Sequence, residues 1–354
     1  MKKLLGILLI LCLLVSACGS QPDKTDGAGT AASSQEESKQ TEAGTAAALP
    51  ERVKVTLGLL TGPTGVGAAK LLRDQSEGKT ANEYTGVNFT APTDVAPKLI
   101  SGELDIAMVP TNLAAVLYQK TNGGVQLLAL NTLGVLYLVT AEGETVMSLE
   151  DLKGKTVYSS GQAAVPEYVL NYILDACGLR EEVEVVYEAE HDAVVAALAA
   201  GRARIAILPE PKVTAALTQV TGLTRALDLT EEWNKAVAKK GDPACLLSMG
   251  CVVVRRGFAE AHPEAVKVFL EEYESSVSYM KDPANLESAA KLCETYGIIP
   301  KAALAKKAVP NCNLCFVSGD KMKAQIMPFY EILFAYNPAA VGGKLPDDAF
   351  FYAK

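Results

Sequence analysis

Histidine is almost absent: His191 and His262 are the only two in 354 residues. A Ser-His-Asp hydrolase or a His-rich zinc site therefore has little to be built from. Each His stands at a helix-start signal, His191 before Asp192 and His262 before Pro263, which reads as local capping rather than catalysis. Basic clusters are lacking too. The formal net charge is −8, from 33 Lys and Arg against 41 Asp and Glu. That balance excludes a phosphate-tracking nucleic-acid surface and broad adhesion to anionic lipid. After Val15 no apolar run demands a membrane span, which takes roughly 20 residues. The Gly-rich stretch TGPTGVG, residues 61–67, lacks the Lys-Ser/Thr ending of a phosphate-cradling loop. Paired carboxylates, an activated nucleophile and a cofactor motif are missing from the strand-end loops named below. The sequence therefore predicts no catalysis, no cofactor and no metal.

Cysteine is present but ambiguous. Beyond Cys12 and Cys18 there are Cys177, Cys245, Cys251, Cys293, Cys312 and Cys315. Cys312 and Cys315 form a C-x-x-C, yet a metal site would want a second such pair and a redox site would want a strand followed by a helix start. Here a Pro precedes the pair and Phe316-Val317-Ser318-Gly319 follows, which reads as a loop. Buried thiols or one short-loop disulfide remain.

The chain begins with Lys2 and Lys3 and an apolar run from Leu4 to Val15, the length of a signal-peptide core. It ends in Val15-Ser16-Ala17-Cys18-Gly19, which resembles the lipobox of bacterial lipoproteins. That resemblance implies removal of residues 1–17, a lipid on Cys18 and an extracytoplasmic body anchored to the cell membrane. Residues 18–50 are small and polar. They cannot bury enough surface to offset their ordering entropy, and so read as a flexible tether.

From Val53 strands and helices alternate at βαβ spacing, which predicts an α/β fold of mostly parallel sheets flanked by helices. The series restarts near Lys155. Gly102-Glu103-Leu104-Asp105-Ile106-Ala107-Met108-Val109-Pro110 is echoed by Gly201-Arg202-Ala203-Arg204-Ile205-Ala206-Ile207-Leu208-Pro209. Two related lobes follow. Lobe I takes residues 51–136 and 246–354, lobe II takes 137–245, and the crossings fall near Leu136–Thr140 and Leu246–Val254. After the second crossing the pattern is helical without new strands.

In such sheets ligands sit beyond the carboxyl ends of the strands, near helix N-termini. Five loops stand there, and they supply the candidate ligand contacts: Thr61, Gly62 and Thr64; Thr111 and Asn112; Asn131; Ser159, Ser160 and Gln162; and Glu210. Small hydrogen-bonding side chains suit a small polar molecule enclosed by two lobes. No Arg is among them, so an anion would depend on helix amides alone. Glu210 is the one acid, able to accept from a ligand or to cap the helix after Pro211. Tyr137 is either a stacking surface or core.

The duplicated α/β pattern and the phrase LISGELDIAMVPTNLAAVLY, residues 99–118, resemble the type II solute-binding proteins of ABC importers. The branch that includes sulfonate-, nitrate- and thiamine-precursor-binding proteins is the most similar. The resemblance runs from Val53 onward and implies a two-lobed periplasmic-binding-protein fold with two hinge crossings. It also implies a monomer that captures a solute and delivers it to a permease and its ATPase. It assigns Leu60–Gly65, Pro110–Asn112 and Ser159–Gln162 to the cleft. A ligand-sensing lipoprotein, or an enzyme on the same scaffold, is the competing reading.

Overall fold

The computed structural model describes residues 52–162 and 164–353. The signal peptide, Cys18 and the tether expected from the sequence lie outside the described residues. Among the described residues no helix is long and apolar enough to cross a membrane.

The chain runs β1 (Lys54–Leu60), α1 (Pro63–Val66), α2 (Ala69–Ser76), β2 (Glu83–Phe89), α3 (Pro92–Ser101), β3 (Ile106–Pro110), α4 (Thr111–Lys120) and β4 (Val125–Leu133). It then crosses over. β5 (Leu136–Thr140), β6 (Thr156–Ser160), α5 (Val165–Cys177), β7 (Glu184–Glu188), α6 (His191–Ala199), β8 (Ile205–Pro209), α7 (Lys212–Gln219), β9 (Thr224–Asp228) and α8 (Leu229–Lys240) follow. The chain returns through β10 (Ser248–Arg255) to α9 (Arg256–Ala261), α10 (Pro263–Lys281), α11 (Leu286–Thr295), α12 (Ala302–Ala308), β11 (Leu314–Ser318) and α13 (Gly319–Tyr336).

Two separate sheets result, ordered β11-β4-β10-β3-β1-β2 and β7-β6-β8-β5-β9. The strands carried by βαβ crossovers are parallel, as β1 with β2 and β3, and β6 with β7 and β8. The strands that enter from the other lobe are not: β10 is antiparallel to β3 and β4, and β5 to β8 and β9. A strand arriving without a crossover helix is free of the constraint that makes βαβ pairs parallel. Ile106, Ala107, Met108 and Val109 of β3 are wholly buried, as expected of a strand covered on both faces.

One expectation is corrected. The segment after Cys312 is not a loop but β11, the edge strand of the first sheet, paired with β4 at Leu314↔Thr132 and Val317↔Leu130. A register shift between those pairs breaks the two-residue alternation, and the partner strand lies far away in sequence. A local reading had no signal to find. All six described cysteines are free thiols. Burial pushes the Cys315 thiol up to about 12, and Cys312 donates to the Ala308 carbonyl at 3.3 Å.

The first crossing is built on Gly134, between β4 and β5. A Cβ there would overlap Thr230 Oγ1 and come within 2.8 Å of Leu247 Cδ2. Thr230 opens α8 and Leu247 precedes β10, so both crossings and the start of α8 meet at one glycine. Asn313 donates to the Gly134 carbonyl at 2.5 Å and fixes it to the chain ahead of β11. The long C-terminal helix α13 also touches both lobes. Its Phe329 packs edge-on to the fully buried Trp233 of α8 at 5.7 Å, and Trp233 in turn packs on Tyr172 of α5 at 4.5 Å. Beyond its end, Asn337 donates to the Tyr168 hydroxyl at 2.8 Å.

Candidate functional site

The carboxyl ends of β1, β3, β4, β6 and β8 deliver five short loops to one place. Residues from all five line a single cavity of about 770 Å³ between the two sheets. Lobe I supplies Thr61, Pro63 and Thr64 after β1, Pro110 and Asn112 after β3, and Thr132 at the end of β4. Lobe II supplies Gly161 after β6 and Pro209 and Glu210 after β8. That volume is in the range that holds a small-molecule ligand.

Four of the ten predicted contacts stand on the cavity wall: Thr61, Thr64, Asn112 and Glu210. The other six do not. Asn131 is buried behind the wall and braces it. It donates to the Thr64 carbonyl and to the Tyr273 hydroxyl, both at 2.9 Å, and accepts from Thr132 at 3.1 Å. Thr111 is buried too, sharing a 2.8 Å hydrogen bond with Ser248, and the Tyr330 hydroxyl donates to its carbonyl. Ser159 donates to the Ser160 carbonyl at 3.2 Å, within the strand end. Gly62 is fixed by its amide to the Ile298 carbonyl at 2.9 Å, and Gln162 is exposed. Ser160 reaches the cavity indirectly, through His191.

His191 was read as a helix cap and is something else. It is the first residue of α6, but no side-chain hydrogen bond caps that helix. Its Nδ1 meets the Ser160 hydroxyl, and the ring lines the cavity. Burial, helped by the Lys212 ammonium and opposed by Asp192 and Glu190, holds it below its ordinary pKa, so the ring is neutral near pH 7. His262 likewise makes no side-chain cap at α10 and instead packs on the Phe258 ring at 5.0 Å.

Glu210 does cap. It accepts from the Thr214 amide at 3.3 Å and from the Thr214 hydroxyl at 3.0 Å, at the first turn of α7. It also pairs with Arg225 of β9, a partner too remote in sequence to be read locally. The Glu210 side chain is 0 % exposed. Burial pushes its carboxyl up, against the lowering pull of Thr214 and Arg225. The Arg225 guanidinium lies 4.2 Å from the Tyr137 ring centroid, and the Tyr137 hydroxyl donates to the Asn311 carbonyl of lobe I at 3.0 Å. Tyr137 is thus buried core that joins the two lobes, off the cavity wall.

Sequence reasoning missed most of the wall. α3 contributes Pro92, Ala96 and Ile100, and α4 contributes Leu113, Val116 and Leu117. Val135, Val165, Pro166 and Met249 close the remainder. These residues sit on amphipathic helix faces and at strand ends, where the sequence pattern marks apolar groups as core. In the structure, exposure marks the wall positions: Ile100 is 53 % exposed, and Ala96, Leu113, Val116 and Met249 are half-buried. Among the described residues no group of His, Cys, Asp and Glu could hold a metal ion.

Residues 80–236 match the family model described as the periplasmic substrate-binding protein of a phosphonate ABC transporter. No curated protein sequence matches the chain. Among solved structures, an ABC transporter protein from Parabacteroides distasonis aligns with a TM-score of 0.70 and 24 % identity, covering 86 % of this chain and all of that one. The periplasmic aliphatic sulphonate binding protein of Escherichia coli aligns at 0.63 and 15 %, covering 85 % and 96 %. The periplasmic nitrate-binding protein of Synechocystis aligns at 0.50 and 13 %, covering 69 % and 66 %. The type II periplasmic-binding-protein fold is therefore present, and the resemblance to the sulfonate and nitrate branch read from the sequence is borne out.

Proposed function

We propose that this chain is the substrate-capturing component of an ABC importer, working outside the cytoplasmic membrane and closing its lobes on one small molecule. One observation carries the reading: loops from both sheets, five in all, converge on one 770 Å³ cavity. The match to a substrate-binding family over residues 80–236 supports it. The moving bodies are residues 51–136 with 246–354, and 137–245. Delivery goes to a permease and its ATPase, with the lipid on Cys18 as the anchor and the monomer as the working unit.

The wall offers no nucleophile paired with a general base in reach of an acid. Its one Ser-His contact, Ser160 with His191, uses Nδ1, and among the described residues no hydrogen bond joins the ring to a carboxylate. The site is therefore built to bind without turnover. Mass spectrometry of the small molecule released when purified protein is denatured tests this. One compound, chemically unchanged by prolonged incubation with the protein, is expected. A compound converted by the protein alone refutes non-catalytic capture.

A further inference from the structure

The cavity wall is at odds with an anionic ligand. Helix N-termini attract anions through free amides and the positive end of the dipole. Of the helix starts whose residues line the cavity, α1, α3 and α5 each place a proline in the first two positions, Pro63, Pro92 and Pro166, while α4 and α6 open on Thr111 and His191 and keep their amides. Proline has no N–H to offer. Asp94 and Glu167 add negative charge to the first turns of α3 and α5. The cationic side chain on the wall is Lys120, exposed, at the far end of α4. Arg225 is spent on Glu210, behind the wall.

Three of the wall's polar side chains are committed to the protein, while the Thr61, Thr64 and Thr93 hydroxyls make no hydrogen bond among the described residues. Asn112 donates to the Ala340 carbonyl at 3.4 Å, and Thr132 to Asn131. Glu210 is satisfied by Thr214 and Arg225. What faces the space is chiefly aliphatic: Leu60, Ile100, Leu113, Val116, Val135 and Met249 among others. Against that background His191 is different. Ser160 takes Nδ1, and Nε2 is the ring's remaining polar atom on a side chain that lines the cavity.

We infer that the ligand is an uncharged, mainly apolar small molecule whose one polar group is held by His191. This rests on the capture reading above and narrows it to a ligand class. Apolar surface supplies the affinity, at about 25 cal/mol per Å² removed from water. The single hydrogen bond fixes orientation, because a buried polar group left unpaired is costly.

Calorimetric titration of the purified chain with matched probes tests the inference. 2-Naphthol and naphthalene-2-sulfonate share a body and differ in charge; naphthalene lacks the polar group; methylphosphonate lacks the body. 2-Naphthol is expected to bind at least tenfold more tightly than the sulfonate, and methylphosphonate not to bind. His191→Ala should weaken 2-naphthol about tenfold and leave naphthalene unchanged, with His191→Gln recovering part of the loss. Ile100→Asp, at an exposed position, should weaken both uncharged probes. Sulfonate or methylphosphonate binding tighter than 2-naphthol overturns the ligand class and leaves solute capture standing. Failure of both naphthyl probes also overturns the class, and capture is then judged by the released small molecule. An equal effect of His191→Ala on naphthalene and 2-naphthol removes His191 from its role.

Discussion

Replacing Arg225 by methionine strands a carboxylate. The Glu210 side chain is wholly shielded from water and its charged partner is Arg225, itself 25 % exposed. Methionine keeps an unbranched side chain at the position and deletes the charge, together with the guanidinium that lies over Tyr137. Breaking one side of a buried pair costs about 3–5 kcal/mol. The partial exposure of Arg225 puts the expectation at the low end, about 3 kcal/mol at pH 7. That is a large share of the 5–15 kcal/mol typical of a whole protein. Burial already raises the Glu210 carboxyl, and Arg225 is one of the groups pulling it down. The variant's carboxyl therefore rises further. A raised carboxyl favours the fold where it is protonated, and that contribution is lost as pH increases through its folded value. The deficit of Arg225→Met should accordingly be greatest at pH 7 and shrink as pH falls toward the ordinary carboxylate value of 4.5. Denaturant titrations at several pH values measure this. Adding Glu210→Gln should return more than half of the loss at pH 7, since the amide carries no charge to strand. A deficit independent of pH, or a double variant no better than Arg225→Met, would show that packing over Tyr137 and not charge pairing governs the site.

Gly134→Ala places a methyl against Thr230 and Leu247 where the crossings meet, and overpacking of this kind costs about 1–3 kcal/mol; the denaturation midpoint should fall, and probe binding should weaken with it. Phe329→Ala opens the contact between α13 and Trp233 and should cost about 3–5 kcal/mol, read as a lower midpoint at unchanged slope. For His191, burial lowers the folded-state pKa, so its contribution is present above the unfolded value of 6.5 and lost as pH falls through and below it. His191→Gln should flatten the stability profile in that acidic range.

How much of this was legible depended on how far apart the interacting residues lie. The βαβ alternation, the echo of residues 102–110 in 201–209 and the positions of the five loops are local patterns, and those loops do meet in one cavity. The Glu210 cap was legible because Thr214 is one helical turn away. Its ion pair with Arg225 and the pairing of Ser160 with His191 were not, because the first joins the ends of two strands, β8 and β9, and the second joins a strand end to the start of helix α6. The strand β11 was hidden by its register shift and its distant partner. The apolar wall was hidden for a different reason. On α3 and α4 a side chain facing an empty cleft and one facing a packed core present the same hydrophobic spacing. The expectation of a polar lining came from loop composition alone, which left out the helix faces above the loops.

The central claim is that the two lobes close on a captured molecule, and small-angle X-ray scattering of the purified chain tests it most directly. Adding the compound released from the protein, at concentrations that saturate binding, should reduce the radius of gyration relative to the stripped protein. An unchanged radius with the site demonstrably filled would contradict the account.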